Sequence, residues 1–522
     1  MIEENNINKD SLVGDLTNES IELLEWPLLK KQLSSFASTP MGKKSIIDFE
    51  IPTRLEDTQY LLDQTKEIYS LENEHDQNIH FEGVFDIKKN TETCFKGGVI
   101  SSVELLEIAD TIAAARKLKK TIINFELRPQ LSSLLEKLVD HVELEKILKN
   151  GIENNGRISD RACPKLSEFR KQLISIKNER RLILDKIIYK NSNYIQDAII
   201  SERIGRPVLA IKVNFINKFK GIIHDSSSSG NTIFIEPDAV VSKGNKIASC
   251  KAKIANEEFK LLKFWSNLIS ENKETLFLLS DILLSIENAH IRSRYSRWIN
   301  GRPPKFVSDL NIQITGFTHP LLLWENKNNY SHKITPIDFY IRKNIKVVSI
   351  TGPNTGGKTA ALKGIGMALL MAKSGLFIPA NDQPVIPFYA NIYADIGDDQ
   401  SLQENLSTFS GHILRIKKIF DALSIKQGLS IVLLDEIGSG TDPEEGTALA
   451  ISLLEEFANK SDLTVATTHY GEIKALKYKD SRFENVSVSF DEESLKPTYT
   501  LNWGIPGRSN ACLLYTSDAA DD

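Results

Sequence analysis

Cysteine is scarce in this chain. Its 522 residues hold four, Cys94, Cys163, Cys250 and Cys512, scattered and without a CxxC pair. That excludes a compact zinc site built from cysteines alone and suits a reducing compartment. A positive charge excess is also missing. The formal net charge is −5, so no global field announces nucleic acid, and such binding would have to come from local patches. No run reaches 18 uncharged apolar residues, so neither a membrane span nor a membrane partner is expected. The opening stretch Met1–Gly14 is polar and acidic and has no apolar h-region. No secretory leader is expected, and the expected location is cytoplasmic. What remains is ordinary for a globular protein, 41% apolar and 25% charged, and long enough for roughly two to four domains.

Residues 20–150 read as mostly helical, with apolar positions at helical spacing in Ile21–Leu24 and Val103–Ala109. Between them Lys96-Gly97-Gly98-Val99 marks a turn, and Ser101-Ser102 can cap the helix that follows. Further on, one heptad seam runs Leu166, Phe169, Leu173, Ile176, Ile183 and Ile187, with Arg180 in one slot. A second runs Ile247, Cys250, Ile254, Leu261, Phe264 and Leu268, with Glu257 in one slot. Neither helix could hide its stripe alone. Between the seams, Val208–Val213 and Thr232–Ile235 read as strands around the Ser226–Gly230 loop. Two antiparallel arms with a small β module at their tip are the economical arrangement. Two interior helices of one bundle are the alternative. The basic residues on the arms are interleaved with acids, which by itself describes a solvated face. From about residue 310, short apolar strands alternate with helices, as in a parallel α/β domain.

In that last segment the strand Lys346–Ile350 runs into Gly352-Pro353-Asn354-Thr355-Gly356-Gly357-Lys358-Thr359, and Ala360–Ala372 reads as a helix. This is a P-loop in its proper setting. Glycines let the backbone curl its N–H groups towards a β-phosphate at the positive end of the helix. Lys358 would pair with β- and γ-oxygens, and the Thr359 hydroxyl would ligate Mg2+. The apolar strand Ser430–Leu434 then ends in Asp435-Glu436. Asp435 can serve the Mg2+ shell, and Glu436 can orient and deprotonate an attacking water. After them, Gly438–Pro443 is too glycine-rich to be packing filler. A third strand, Leu463–Thr468, delivers His469 to the same carboxyl edge. There it reads either as a γ-phosphate sensor or as a structural histidine.

These residues together resemble the MutS ATPases, an ABC-like P-loop family. Thr351–Thr359 is similar to the family's TGPNxGGK[ST] loop, Asp435–Thr441 to its Walker B and dimer loop, and Ala466–Tyr470 to its switch-histidine segment. Asp395–Gln400 through Leu406–Ser410 resembles the segment whose Ser407-Thr408 pair reaches the neighbouring subunit's γ-phosphate. The resemblance implies a homodimer with composite sites, using ATP and Mg2+. It covers almost the whole chain, from Leu24-Glu25-Trp26 through Gly221–Asp225 to Ser509-Asn510-Ala511, and points to the second bacterial subfamily. The implied fold is multidomain: a mostly α-helical core with long antiparallel lever helices and a small β clamp, followed by an α/β P-loop ATPase domain. The expected boundaries are 1–155 for the core, 156–300 for levers and clamp (tip about 200–240), and 305–511 for the ATPase domain.

Mismatch-repair members of the family read DNA with a Phe-x-Glu wedge in a domain that nothing here would house. Phe234-Ile235-Glu236 matches the letters but falls in a strand-like run and reads as structural. The subfamily usually continues into a Smr nuclease domain. Here the pattern stops after Ala511, and 512–522 reads as an artefactual tail on a truncated gene. The expected function is a mechanochemical ATPase clamping branched DNA, suppressing recombination, or splitting collided ribosomes. The alternative is an endonuclease acting through the missing Smr domain. A transporter subunit is disfavoured, since no LSGGQ signature lies between Lys358 and Asp435.

Overall fold

The computed structural model describes residues 14–73, 78–228, 230–329, 334–352, 357–397, 408–425, 427–491 and 496–505. The chain divides into two compact units. One holds residues up to Phe81, Leu118–Lys137 and everything from Ile282. The other holds Glu82–Lys117 and Leu138–Asp281. Part of the expected core segment 1–155 therefore groups with the expected ATPase segment, and 82–117 and 138–155 group with the arms. Among the described residues, no helix is long and apolar enough to cross a membrane.

In the first unit a six-stranded sheet runs in the order Asn391–Asp395, Ser430–Leu434, Leu463–Thr468, Val347–Thr351, Phe483–Asp491, Lys496–Trp503. The first five strands are parallel and the last closes the edge as an antiparallel hairpin. Every residue of Val347–Thr351, Ser430–Leu434 and Leu463–Thr468 is buried. Strands buried on both faces are what a parallel sheet covered by helices requires, with the small polar residues Ser349, Thr351, Thr464, Thr467 and Thr468 buried among the apolar ones. The helix Lys358–Lys373 is buried on nearly every side, which a helix apolar all round demands. A side chain at Gly366 would come within 2.5 Å of Leu24 Cδ2 and would have to displace it, so the N-terminal segment lies close against this helix. Leu24, Trp26 and Leu29 share one apolar cluster with Ile365, Leu369 and Leu433. That shared cluster is why the first helices belong to this unit. A smaller sheet orders Lys305–Val307, Val385–Pro387, Ile312–Phe317, Ile337–Ile341.

In the second unit Ser101 and Glu104 form a reciprocal cap at the start of the helix Ser102–Ile122. The Glu104 carboxylate accepts from Ser101 N at 2.7 Å, and Ser101 Oγ accepts from Glu104 N at 3.3 Å. The helices Pro164–Lys190 and Asp238–Glu271 pack antiparallel. Arg170 pairs with Glu258 at 2.6 Å, Cys250 Sγ meets the Phe169 carbonyl at 3.2 Å, and Glu179 pairs with Lys243. All seven first-seam positions are at least partly covered.

The second seam needs a correction. Phe264 is 54% exposed, and the buried stripe steps instead from Leu261 to Trp265 and Ile269. A 3.5-residue repeat drifts on a helix of 3.6 residues per turn, and after two heptads the next residue faces inward. Trp265 packs so close to Gly151 that a side chain there would lie 2.3 Å from its ring.

Between these helices is an antiparallel sheet in the order Ile195–Arg203, Arg206–Lys212, Thr232–Pro237, Gly221–Ser226. Ile195, Leu209, Ile211 and Ile235 bury against Leu184 and Val240. Phe234 lies under the Arg203 guanidinium, 4.4 Å from it. Glu236 is 1% exposed and held by His224 at 3.0 Å and Arg206 at 3.4 Å.

Candidate nucleotide site

Strand ends decide where polar groups gather in the first unit. Val347–Thr351 leads into Gly352 (φ 147°), and the described chain resumes at Gly357 (φ 88°), the N-cap of Lys358–Lys373. Both angles lie where a side chain is disfavoured, so glycine is required at each. Pro353, Asn354, Thr355 and Gly356 lie outside the described residues.

Lys358 and Thr359 open the helix, where unpaired N–H groups and the helix dipole favour an anion. Lys358 is 2% exposed. Its ammonium donates to the Gly352 carbonyl at 3.0 Å and lies 3.1 Å from His469 Nδ1. Burial lowers Lys358 to about 8, with Glu436 and Asp435 pulling the other way. The Thr359 hydroxyl donates to Asp435 Oδ2 at 2.8 Å.

Asp435 and Glu436 stand just past the strand Ser430–Leu434. Thr467, wholly buried on the neighbouring strand, clasps both. Its hydroxyl donates to Asp435 Oδ1 at 2.5 Å and accepts from Glu436 N at 2.8 Å. The backbones are tied too, Ile437 N donating to Thr467 O at 3.1 Å. Glu436 sits at φ 47°, a left-handed conformation unusual for a residue with a side chain. Its Oε1 lies 3.1 Å from His469 Nε2. Lys358, His469 and Glu436 thus form one polar chain across the sheet edge.

The turn beyond is built on glycine for a reason the sequence hides. Gly438 (φ 84°) passes so close to Gly446 that an added Cβ would meet the Gly446 carbonyl at 2.5 Å. Tyr470 locks the turn by donating from its hydroxyl to Gly438 O at 2.7 Å. Gly440 (φ 86°) lies under Phe409, and Asp442 caps the helix Pro443–Lys460 by accepting from Glu444 N at 3.0 Å.

The structure therefore brings Gly352, Gly357, Lys358, Thr359, Asp435, Glu436 and His469 into one cluster. Thr408 begins the helix Thr408–Ile425, and Ser407 lies outside the described residues. Thr467 was missed by sequence reasoning. A polar residue near the end of an apolar strand beside Asp435-Glu436 is the signal that could have found it.

Comparison with known proteins places the segment that carries this cluster in a family. Residues 348–510 match the family profile described as MutS domain V. A protein of Synechocystis sp. named Endonuclease MutS2 is 43% identical over 520 residues, spanning 96% of this chain and 63% of that protein. A protein of the same name from Symbiobacterium thermophilum is 35% identical over 497 residues (95% and 61%), and one from Halothermothrix orenii 37% over 510 (95% and 63%). The chain spans less than two thirds of the length of these curated relatives.

Proposed function

Because the chain belongs to the MutS family, in its MutS2 branch, we propose that it is a clamp-type ATPase that binds nucleic acid as a homodimer. The observation that carries the ATPase part of this reading is the Thr359 hydroxyl held 2.8 Å from the Asp435 carboxylate, beside a buried Lys358 at a helix N-terminus; the nucleic-acid and homodimer parts rest on the family. That donor set fits ATP with Mg2+. The hydroxyl and carboxylate are the hard oxygen ligands such a cation takes, and the ammonium matches phosphate oxygens. The cation, when bound, neutralises charge developing on the phosphates.

Lys358 then exchanges the Gly352 carbonyl and His469 for phosphate oxygens. Released from Lys358, His469 stays in reach of Glu436 and of the γ-phosphate position. Glu436 Oε1 orients the attacking water and accepts its proton. Ser407 and Thr408 are proposed to complete the site of the opposite chain. The helices Pro164–Lys190 and Asp238–Glu271 are proposed as levers and the sheet between them as the clamp, giving domains of 1–155, 156–300 and 305–511. Branched DNA is the proposed substrate, with suppression of recombination as the outcome. A collided ribosome, which also presents a phosphate backbone, is the second target.

The decisive measurement is the ATPase rate at stated salt, alone, with four-way junction DNA and with stalled disomes; stimulation identifies the target, and no stimulation by either sinks the clamp reading. Glu436→Gln should bind ATP, trap the dimer and not turn over, whereas normal hydrolysis would refute its role. Lys358→Ala should lose nucleotide affinity. The relatives' name supports a second reading, an endonuclease, for which metal-dependent nicking of junction DNA by the full chain is the test.

A further inference from the structure

One buried ionic cluster lies outside the site described above. Asp395, 3% exposed at its side chain, ends the edge strand Asn391–Asp395, and its carbonyl accepts from Asp435 N at 2.8 Å. Its carboxylate takes two donors from a single helix, Thr408–Ile425. His412 Nδ1 lies 2.9 Å from Oδ2, and Arg415 Nη1 lies 3.1 Å from Oδ1. Arg415 also approaches Glu19 at 3.7 Å. Two charge-assisted contacts one turn apart fix both the position and the rotation of the helix start.

The start of the same helix also packs against the turn that follows Glu436 and against the stretch after Asp395. A side chain at Gly440 would lie 3.2 Å from Phe409 Cβ, and one at Gly397 would lie 3.1 Å from the His412 ring. A small void is bounded by Asp395, Phe409, His412, Asp435, Glu436 and Ser439. The Asp395 carboxylate is engaged by the Thr408–Ile425 helix, and its link to Asp435 runs through the backbone.

We propose that Asp395, His412 and Arg415 are positioning residues that hold the first turn of the Thr408–Ile425 helix in place for the nucleotide site of a second copy of this chain. The proposal rests on the reading of the preceding section that the sites are composite. It adds which side chains set the contributed element, and that their effect is felt in trans. Structural anchoring alone would act on the chain that carries the mutation; positioning in trans would act on its partner.

The test is complementation between full-length chains. His412→Ala should lower turnover about tenfold or more and keep its own ATP binding, with an unfolding temperature lowered but still above that of the assay. His412→Asn, which can still donate to Asp395, should restore most of the rate. Mixed in equal amounts with Glu436→Gln, itself inactive, His412→Ala should recover activity. Half of all dimers are then mixed, and one of the two sites in each pairs an intact Glu436 with an intact His412 from the other chain, giving about a quarter of the parental rate. Arg415→Gln should behave the same way and serves if His412→Ala does not fold. Mixtures no more active than the sum of their parts, while Glu436→Gln still forms ATP-dependent dimers, would overturn the proposal. Failure of Glu436→Gln to form those dimers would instead sink the composite-site reading beneath it.

Discussion

Replacing Thr467 by valine keeps the shape of a wholly buried side chain and deletes one hydroxyl. That hydroxyl makes two bonds, to Asp435 Oδ1 at 2.5 Å and from Glu436 N at 2.8 Å. Losing a hydrogen bond to a carboxylate costs about 1.5–3 kcal/mol, and an orphaned buried N–H about 1–3 kcal/mol. The backbone bond from Ile437 N to Thr467 O at 3.1 Å survives, so the strand keeps its place. What is lost is the clasp that holds Glu436 at φ 47°. If roughly 3 kcal/mol of this serves to place Glu436, turnover falls about 100-fold. ATP affinity changes less, because Lys358 and the helix N-terminus are untouched. Steady-state phosphate release, an ATP titration and a thermal melt separate the three effects. A valine variant turning over ATP within about twofold of the parent would show that Thr467 does not place Glu436, and the argument would fall.

Three further outcomes follow from particular contacts. Lys358 is lowered from 10.5 to about 8, so its cost to the folded state is fully present below about pH 8 and fades as pH rises towards 10.5; stability should rise across that window. Phosphate would restore its charge, so ATP binding at about pH 8.5 should take up protons, read as a buffer-dependent heat that Lys358→Arg removes; equal heats in two buffers would count against it. Gly438→Ala forces a Cβ to within 2.5 Å of the Gly446 carbonyl at positive φ. It should cost about 2–4 kcal/mol and slow hydrolysis, and a melt matching the parent would contradict this. Phe234→Ala should leave the ratio of binding to mismatched and matched duplexes unchanged, since Phe234 lies under Arg203. A selective loss on mismatches would revive the wedge.

Much of the site was legible because its chemistry is local in sequence. The strands Ser430–Leu434 and Leu463–Thr468 are buried throughout, and an apolar run ending in Asp435-Glu436 and a β-branched run ending in His469 can be read without a partner in view. The Thr467 clasp was not legible, since it joins residues 31 and 32 apart through a hydroxyl that also suits a buried strand. The role of Asp395 is not legible either, because its donors at 412 and 415 look like ordinary polar positions on a helix. The second seam was right while the heptad and the helix agreed, and it failed at Phe264, where their small difference in period had accumulated.

Glu436 pays in stability for its place. A left-handed backbone costs a residue with a side chain roughly 1–2 kcal/mol, and glycine escapes most of that. A chain carrying glycine at 436 would therefore fold at least as well as the parent and, on the proposed role of Glu436, hydrolyse no ATP. Selection for sturdiness alone would remove this carboxylate, so its retention in any working copy marks a position where activity, not folding, sets the residue.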